Sequence, residues 1–179
     1  IKVIKKLADE GKFKRHGAIA KTMEAYVLMT LVDTYGDVPY SKAFDPNDFN
    51  PAKDSGDDVY KAALALLVSA QADFKDAVSV GTPNDFFYGG NYTKWDKLCN
   101  TLQLKYWLNR RLINKSEATT AINALIAKNA FIAPGDEFVW RYGTSLTDPN
   151  TRAPKYQPNG GGDYMSNDYM IKRVSLEDI

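Results

Sequence analysis

One histidine and one cysteine occur in 179 residues, and that scarcity removes whole classes of chemistry. A Ser/His/Asp triad, a Cys/His dyad or a zinc site would each have to use His16, and an internal disulfide framework or a cysteine-cluster metal site needs more thiols than Cys99 supplies. The charges balance, with 23 lysines and arginines against 22 aspartates and glutamates and a net charge of +1. No field is left to hold a nucleic acid or an anionic membrane. No stretch approaches the roughly 20 continuous apolar residues of a spanning helix. What is present is an ordinary globular composition, 44% hydrophobic and 25% charged, enough to bury one sizeable core. Composition leaves the compartment open, because exported proteins of this size often do without disulfides.

Apolar spacing predicts four helices. From Phe13 to Tyr35 the residues Ile19, Met23, Tyr26, Val27, Thr30 and Leu31 recur at intervals of three and four, one face of a helix over 13–35. Gly36 suits a left-handed cap, and Pro39 lies where the helix cannot continue. A loop rich in Asp, Asn and Pro runs to Lys53. Asp54 or Ser55 then caps a helix over 55–78, with Asp57 and Asp58 at its positive end and Val59, Ala63, Leu66, Ala70 and Phe74 on its apolar face. Gly81-Thr82-Pro83-Asn84-Asp85 breaks the pattern, and Phe86-Phe87-Tyr88-Gly89-Gly90 forms an aromatic, glycine-closed loop. The next helix, over 93–114, carries Trp95, Leu98, Cys99, Leu102 and Tyr106 on one face, while Leu104, Trp107 and Leu108 widen its apolar sector to burial on two sides. Ser116, with Thr119 nearby, opens a shorter helix over 116–129.

The expected fold is therefore mainly α, a single segment of antiparallel helices with a helical core over 1–135 and a loop-rich extension over 136–179. In that extension Pro149, Pro154, Pro158 and Gly160-Gly161-Gly162 forbid long helices. No strict internal repeat is present, although the first two long helices resemble an irregular helical-repeat pair. Residues Ile1, Ile4, Lys5, Leu7 and Ala8 form a polar amphipathic stretch, and Arg173 to Ile179 reads as the opening of another. The expectation is a piece of a longer protein.

Few residues suggest chemistry. Cys99 sits on an apolar helix face, the setting of an inert core thiol. Asp136 and Glu137 are the carboxylate pair nearest to aromatic residues, but adjacent side chains point apart and do not define the separation that glycoside hydrolysis requires. The run Asp45 to Asn50 fails as a calcium loop, and neither glycine cluster is followed by the Lys-Ser/Thr of a phosphate loop, so no metal and no cofactor are expected. Aromatic residues in or beside loops stand out: Phe86, Phe87, Tyr88, Tyr92, Trp140, Tyr142, Tyr156, Tyr164 and Tyr169. Flat rings stack on sugar faces, and Arg141 and Arg152 add planar donors. The candidate ligand contacts are Trp140 and Tyr156, then Tyr142, with Arg141 beside them. Trp95, Tyr106 and Trp107 are assigned to packing.

Tyr35-Gly36-Asp37-Val38-Pro39-Tyr40 follows a helix bearing Tyr26 and Asp33. Asp54-Ser55 then leads to Asp58-Val59-Tyr60, and Tyr88-Gly89-Gly90 precedes Lys94-Trp95, Leu98, Asn100, Leu102 and Leu104 on the way to Arg110. In order and spacing this set resembles the SusD/RagB family of glycan-binding outer-membrane lipoproteins. The resemblance implies tetratricopeptide-like helical pairs and a non-enzymatic protein at the cell surface. It also implies delivery of oligosaccharides or other nutrients to a TonB-dependent outer-membrane transporter, with the membrane reached only through a lipid anchor outside these residues. Family members are considerably longer, so these residues would form the N-terminal half or so. The alternative is a tetratricopeptide-type scaffold that binds a protein segment and no sugar, and a carboxylate-based glycoside hydrolase is a remote third.

Overall fold

A computed structural model describes residues 1–10, 13–76 and 84–142. Among them the helices are α1 (Lys2–Glu10), α2 (Lys14–Tyr35), α3 (Gly56–Phe74), α4 (Tyr92–Arg110) and α5 (Lys115–Lys128), and the one β pairing is an isolated antiparallel bridge between Val38 and Asp54. The four helices expected from spacing are present within a few residues of their expected ends, and the N-terminal amphipathic stretch adds α1. Helix α1 is too short to persist alone. It is held on α2 by the contact of Ala8 with Gly17, where an added Cβ on the glycine would lie 3.2 Å from the alanine's, and by an ion pair from Lys5 to Glu24 at 2.7 Å.

Pairings between helices fix their directions. Lys21 near the start of α2 meets Asp73 near the end of α3 at 2.6 Å, and Tyr60 near the start of α3 donates its hydroxyl to Asp33 near the end of α2. Gln71 late in α3 reaches Asp96 early in α4 at 2.7 Å, and Lys128 at the end of α5 reaches Asn100 of α4 at 2.8 Å. Successive helices are therefore antiparallel, the up-and-down hairpin arrangement expected of tetratricopeptide-like pairs. Between α3, α4 and α5 runs a buried polar ladder, in which Gln103 donates to Gln71 at 2.6 Å and Asn100 donates to the Ala130 carbonyl at 2.9 Å. These bonds set helix register, since a slip would leave buried amides unpaired.

The buried face of α2 differs from the expected one. Ala18, Thr22, Ala25, Leu28 and Met29 are buried, Ile19, Met23 and Leu31 pack against the core partly buried, and Tyr26 and Val27 are exposed. The expected stripe followed the large side chains, whereas α2 is contacted by α1, α3 and α4, and small residues are what allow several helices onto one axis. Thr22 turns its hydroxyl back to the Ala18 carbonyl at 2.9 Å and lies 3.3 Å from the Cys99 sulfur of α4.

Caps also refine the expectation. Ser55 caps α3, accepting from the Asp58 N–H at 3.2 Å and donating to the Asp58 carboxylate at 2.7 Å. Asp54 instead clasps the preceding loop, taking the N–H groups of Tyr40 and Ser41 at 2.8 Å each and the Ser41 hydroxyl at 2.6 Å. Asn91 caps α4 in place of a start near Thr93. Asn114, not Ser116, caps α5, and its amide donates to Glu117 at 2.8 Å in return. The chain divides into two units after Phe138. The loop-rich extension expected over 136–179 lies outside the described residues from 143 onward, as do residues 77 and 78 of the second expected helix.

The turn leaving α2 depends on two glycines. Gly36 has the expected positive φ, 74°, and its N–H closes the helix on the Val32 carbonyl, but its ψ of −113° lies in the mirror-image extended region and not in the left-handed helical one. Its carbonyl faces Gly56, where a Cβ would stand 3.1 Å from that oxygen and 3.1 Å from a Val32 methyl. Asp37 then accepts the Gly56 N–H at 2.9 Å. A Cβ at Gly36 would meet nothing within 4 Å, so substitution there tests backbone strain alone. Gly36→Val is expected to cost about 1–3 kcal/mol in urea unfolding, and a midpoint unchanged from wild type would contradict the cap.

Candidate functional site

Asp85 organises the aromatic loop between α3 and α4. One carboxylate oxygen accepts the N–H groups of Phe87 and Tyr88 at 2.9 and 3.1 Å, and the other accepts that of Gly90 at 3.0 Å and the Trp95 indole N–H at 2.7 Å. Burial pushes the carboxyl pKa up, but these four donors outweigh it and the net shift is downward. Trp95 is fully buried, edge-on to Phe87, Tyr88 and Phe138. Phe87, Tyr88 and Tyr92 are thus partly buried wall of the core, while Phe86 is exposed.

The segment that follows α5 is tied down by Asp136. Its carboxylate meets Lys94 at 3.1 Å and Lys97 at 2.7 Å, and its carbonyl accepts the Tyr88 hydroxyl at 2.9 Å. The hydrogen bonds of Lys97 and Lys94 hold its carboxyl below the usual range, so it is ionised at neutral pH and unsuited to donate a proton as a glycosidase acid must. Glu137 accepts the Gly135 N–H at 2.9 Å. Burial pushes the Cys99 thiol up to about 12, which leaves it protonated and poorly nucleophilic.

Of the expected ligand contacts, Trp140 and Tyr142 are 46% and 53% exposed. They sit two residues apart in a stretch without helix or turn, and their ring centroids are 6.3 Å apart at an interplanar angle of 69°. Arg141 lies between them in sequence and is exposed. Tyr156, together with Arg152, Tyr164 and Tyr169, lies outside the described residues. Tyr106 and Trp95 are buried and Trp107 partly so, in keeping with the packing role assigned to them.

Sequence reasoning missed a cleft of about 640 Å³ where the ends of α2 and α4 meet the start of α3. Asp33 accepts from Tyr60 and, at 3.3 Å, from Asn109, and it pairs with Lys105 at 2.7 Å. Asp57 pairs with Arg110 and, at 2.6 Å, with Lys61. Both carboxyls are held below the usual range: at Asp57 mainly by Lys61, then Arg110, and at Asp33 because Lys105 and Tyr60 outweigh burial. The Tyr60 hydroxyl is pushed up to about 12 by burial and by Asp33. The available signal was Lys105 and Asn109, four apart on one face of α4.

Among the described residues, the antiparallel helical hairpins define an all-α helical-repeat class. The chain belongs to the SusD-like family described as starch-binding associating with outer membrane, which it matches over residues 1–175. It is similar in structure to a SusD/RagB family protein from Bacteroides thetaiotaomicron, with 25% identity and a TM-score of 0.69 over 83% of this chain and 32% of that one. A chitin-binding SusD homolog from Flavobacterium johnsoniae shares 27% identity at a TM-score of 0.60, over 71% of this chain and 28% of that one. A SusD homolog from Bacteroides uniformis, at 21% identity and a TM-score of 0.69 over 82% and 31%, shares the fold. The chain spans about a third of the length of these structures, less than the half expected. No curated protein matches it.

Two outcomes follow for the scaffold of the site. Asp85→Asn strands backbone and indole donors and is expected to cost about 1–3 kcal/mol in urea unfolding at pH 7. Because the folded pKa of Asp85 is depressed below 3.8, its contribution is complete above that value and is lost as pH falls through the folded pKa. The gap between wild type and mutant should therefore narrow in acid, and a gap independent of pH would contradict the role. Cys99 should resist iodoacetamide at pH 8 in the native chain and react once urea unfolds it. Rapid native alkylation would refute the burial.

Proposed function

We propose that this chain is the glycan-binding part of a cell-surface protein that passes oligosaccharides or other nutrients to a TonB-dependent outer-membrane transporter, without catalysis and with attachment to the membrane through a lipid anchor. The observation that carries the reading is the exposed Trp140 and Tyr142 pair in a chain of this family. The two rings are each about half exposed with centroids 6.3 Å apart, close enough to serve one ligand, with Arg141 as a hydrogen-bond donor to hydroxyls. The ionised, doubly paired Asp136 supports the absence of hydrolysis. Tyr156 is a further proposed contact from the same run of aromatics.

Calorimetric titration with malto- and chito-oligosaccharides tests the reading. Binding to wild type, weakened by about 1–3 kcal/mol in Trp140→Ala, Tyr142→Ala or Tyr156→Ala, is expected if the scale for stacking on bases holds for sugars. Circular dichroism establishes that each variant is folded. Undiminished affinity in all three would remove these residues from the site. Turnover of either oligosaccharide that vanishes in Asp136→Asn would overturn the non-catalytic part.

A further inference from the structure

We propose that the cleft between the ends of α2 and α4 and the start of α3 is a second saccharide subsite, one that reads the hydroxyl groups of a neutral oligosaccharide without a stacking ring. It rests on the glycan-binding reading above. At about 640 Å³ the cleft lies within the range of small-molecule sites, roughly 300–1,000 Å³, and its polar groups converge from three helices. Tyr60 is only 5% exposed, with its hydroxyl bonded to Asp33 and Asn109, so no ring face is offered. What is offered is alternation. Donors and acceptors run along the wall as Asp57, Arg110, Asn109, Asp33 and Lys105, the four ions among them already paired with an opposite charge, while Arg111 of the same wall gives its guanidinium to the Leu108 carbonyl.

That pairing selects the ligand class. A carboxylate has about four lone-pair sites and an ammonium three N–H donors, so each pair keeps capacity after its partner is satisfied. The side chains of Asp33, Asp57 and Lys105 are 34%, 42% and 41% exposed, which leaves that capacity reachable. Two neighbouring hydroxyls can donate to the carboxylate and accept from the ammonium together, bridging the pair without breaking it. A charged ligand would instead meet the like-charged member of each pair beside the opposite one, a repulsion that a neutral hydroxyl avoids.

The test is amide NMR on the full chain, following the Asn109 side-chain resonance, assigned through Asn109→Asp, and the Trp140 indole resonance, assigned through Trp140→Phe. The probes are maltohexaose, chitohexaose and, as an anionic control, trigalacturonate. A neutral hexasaccharide should shift the Asn109 signal in wild type and in Trp140→Ala. The affinity read at that signal should fall about ten-fold in Lys105→Met, the scale of a lost hydrogen bond to a charged group. Asp57→Asn, which keeps the size of a partly exposed side chain on the wall and removes its charge, is a milder variant should Lys105→Met not fold, and a comparable loss is expected there. Movement of the indole without movement of Asn109 would overturn the subsite and leave the aromatic reading standing. No movement of either would overturn both. A response of Asn109 to trigalacturonate alone would overturn the neutral class, and unchanged affinity in the folded variants would overturn the role of the pairs.

Discussion

The closeness with which α3 and α4 approach α2 is the constraint on which the rest of the fold depends. Helix α2 meets three other helices, and Ala18, Thr22 and Ala25 keep its surface low enough for them to do so while remaining buried. Large side chains on neighbouring helices share the same core: Val59 and Leu67 from α3 and Trp95 from α4 are fully buried. Native interiors tolerate little void, so lengthening one of the small residues would move a whole helix and not a single side chain. Trp95 shows how far the consequence reaches. Its position fixes Asp85 through the indole N–H, and Asp85 in turn fixes the backbone of the loop from Phe87 to Gly90.

Much of this was legible in the sequence because three- and four-residue spacing reports a buried face directly. Four helices, the positive φ at Gly36 and the packing role of Trp95 all follow from local pattern and side-chain size. The face of α2 did not, because spacing weighs large residues and a helix enclosed by several others buries its small ones. Caps at Asn91 and Asn114 were missed for a different reason. Asn, Ser and Thr crowd both helix starts, and only the backbone angles choose between them. The cleft at the helix ends was least legible, since Asp33, Asp57, Lys105 and Arg110 are distant in sequence and resemble a solvated charged face until the helices bring them together.

Most residues that carry the family resemblance form scaffold, while Asp33, Tyr60 and Arg110 also line the helix-end cleft. Gly36 turns the chain, Asp37 and Asp54 close the loop against α3, Ser55 caps α3, and Trp95 anchors the aromatic loop through Asp85. A motif made of such residues specifies how the hairpins join and says nothing of the ligand. In the proposed reading, binding specificity comes from side chains that the scaffold displays, in keeping with the general placement of recognition on loops and element ends held by rigid elements.

Discrimination against charged ligands, in the proposed subsite, needs no dedicated barrier. With a net charge of +1 there is little long-range field to draw in an ion, and at the helix-end cleft each carboxylate already faces a cation. A uronic acid or an amino sugar arriving there would compete with Asp33 or Lys105 for an occupied partner. The like-charged member of the pair would face the arriving ion, a repulsive element that acts only on the wrong ligand. Neutral hydroxyls meet no such competition. The same ion pairs that hold α2, α3 and α4 at their ends therefore also set the sign of the proposed selectivity, and structural and recognition roles need not be assigned to different residues.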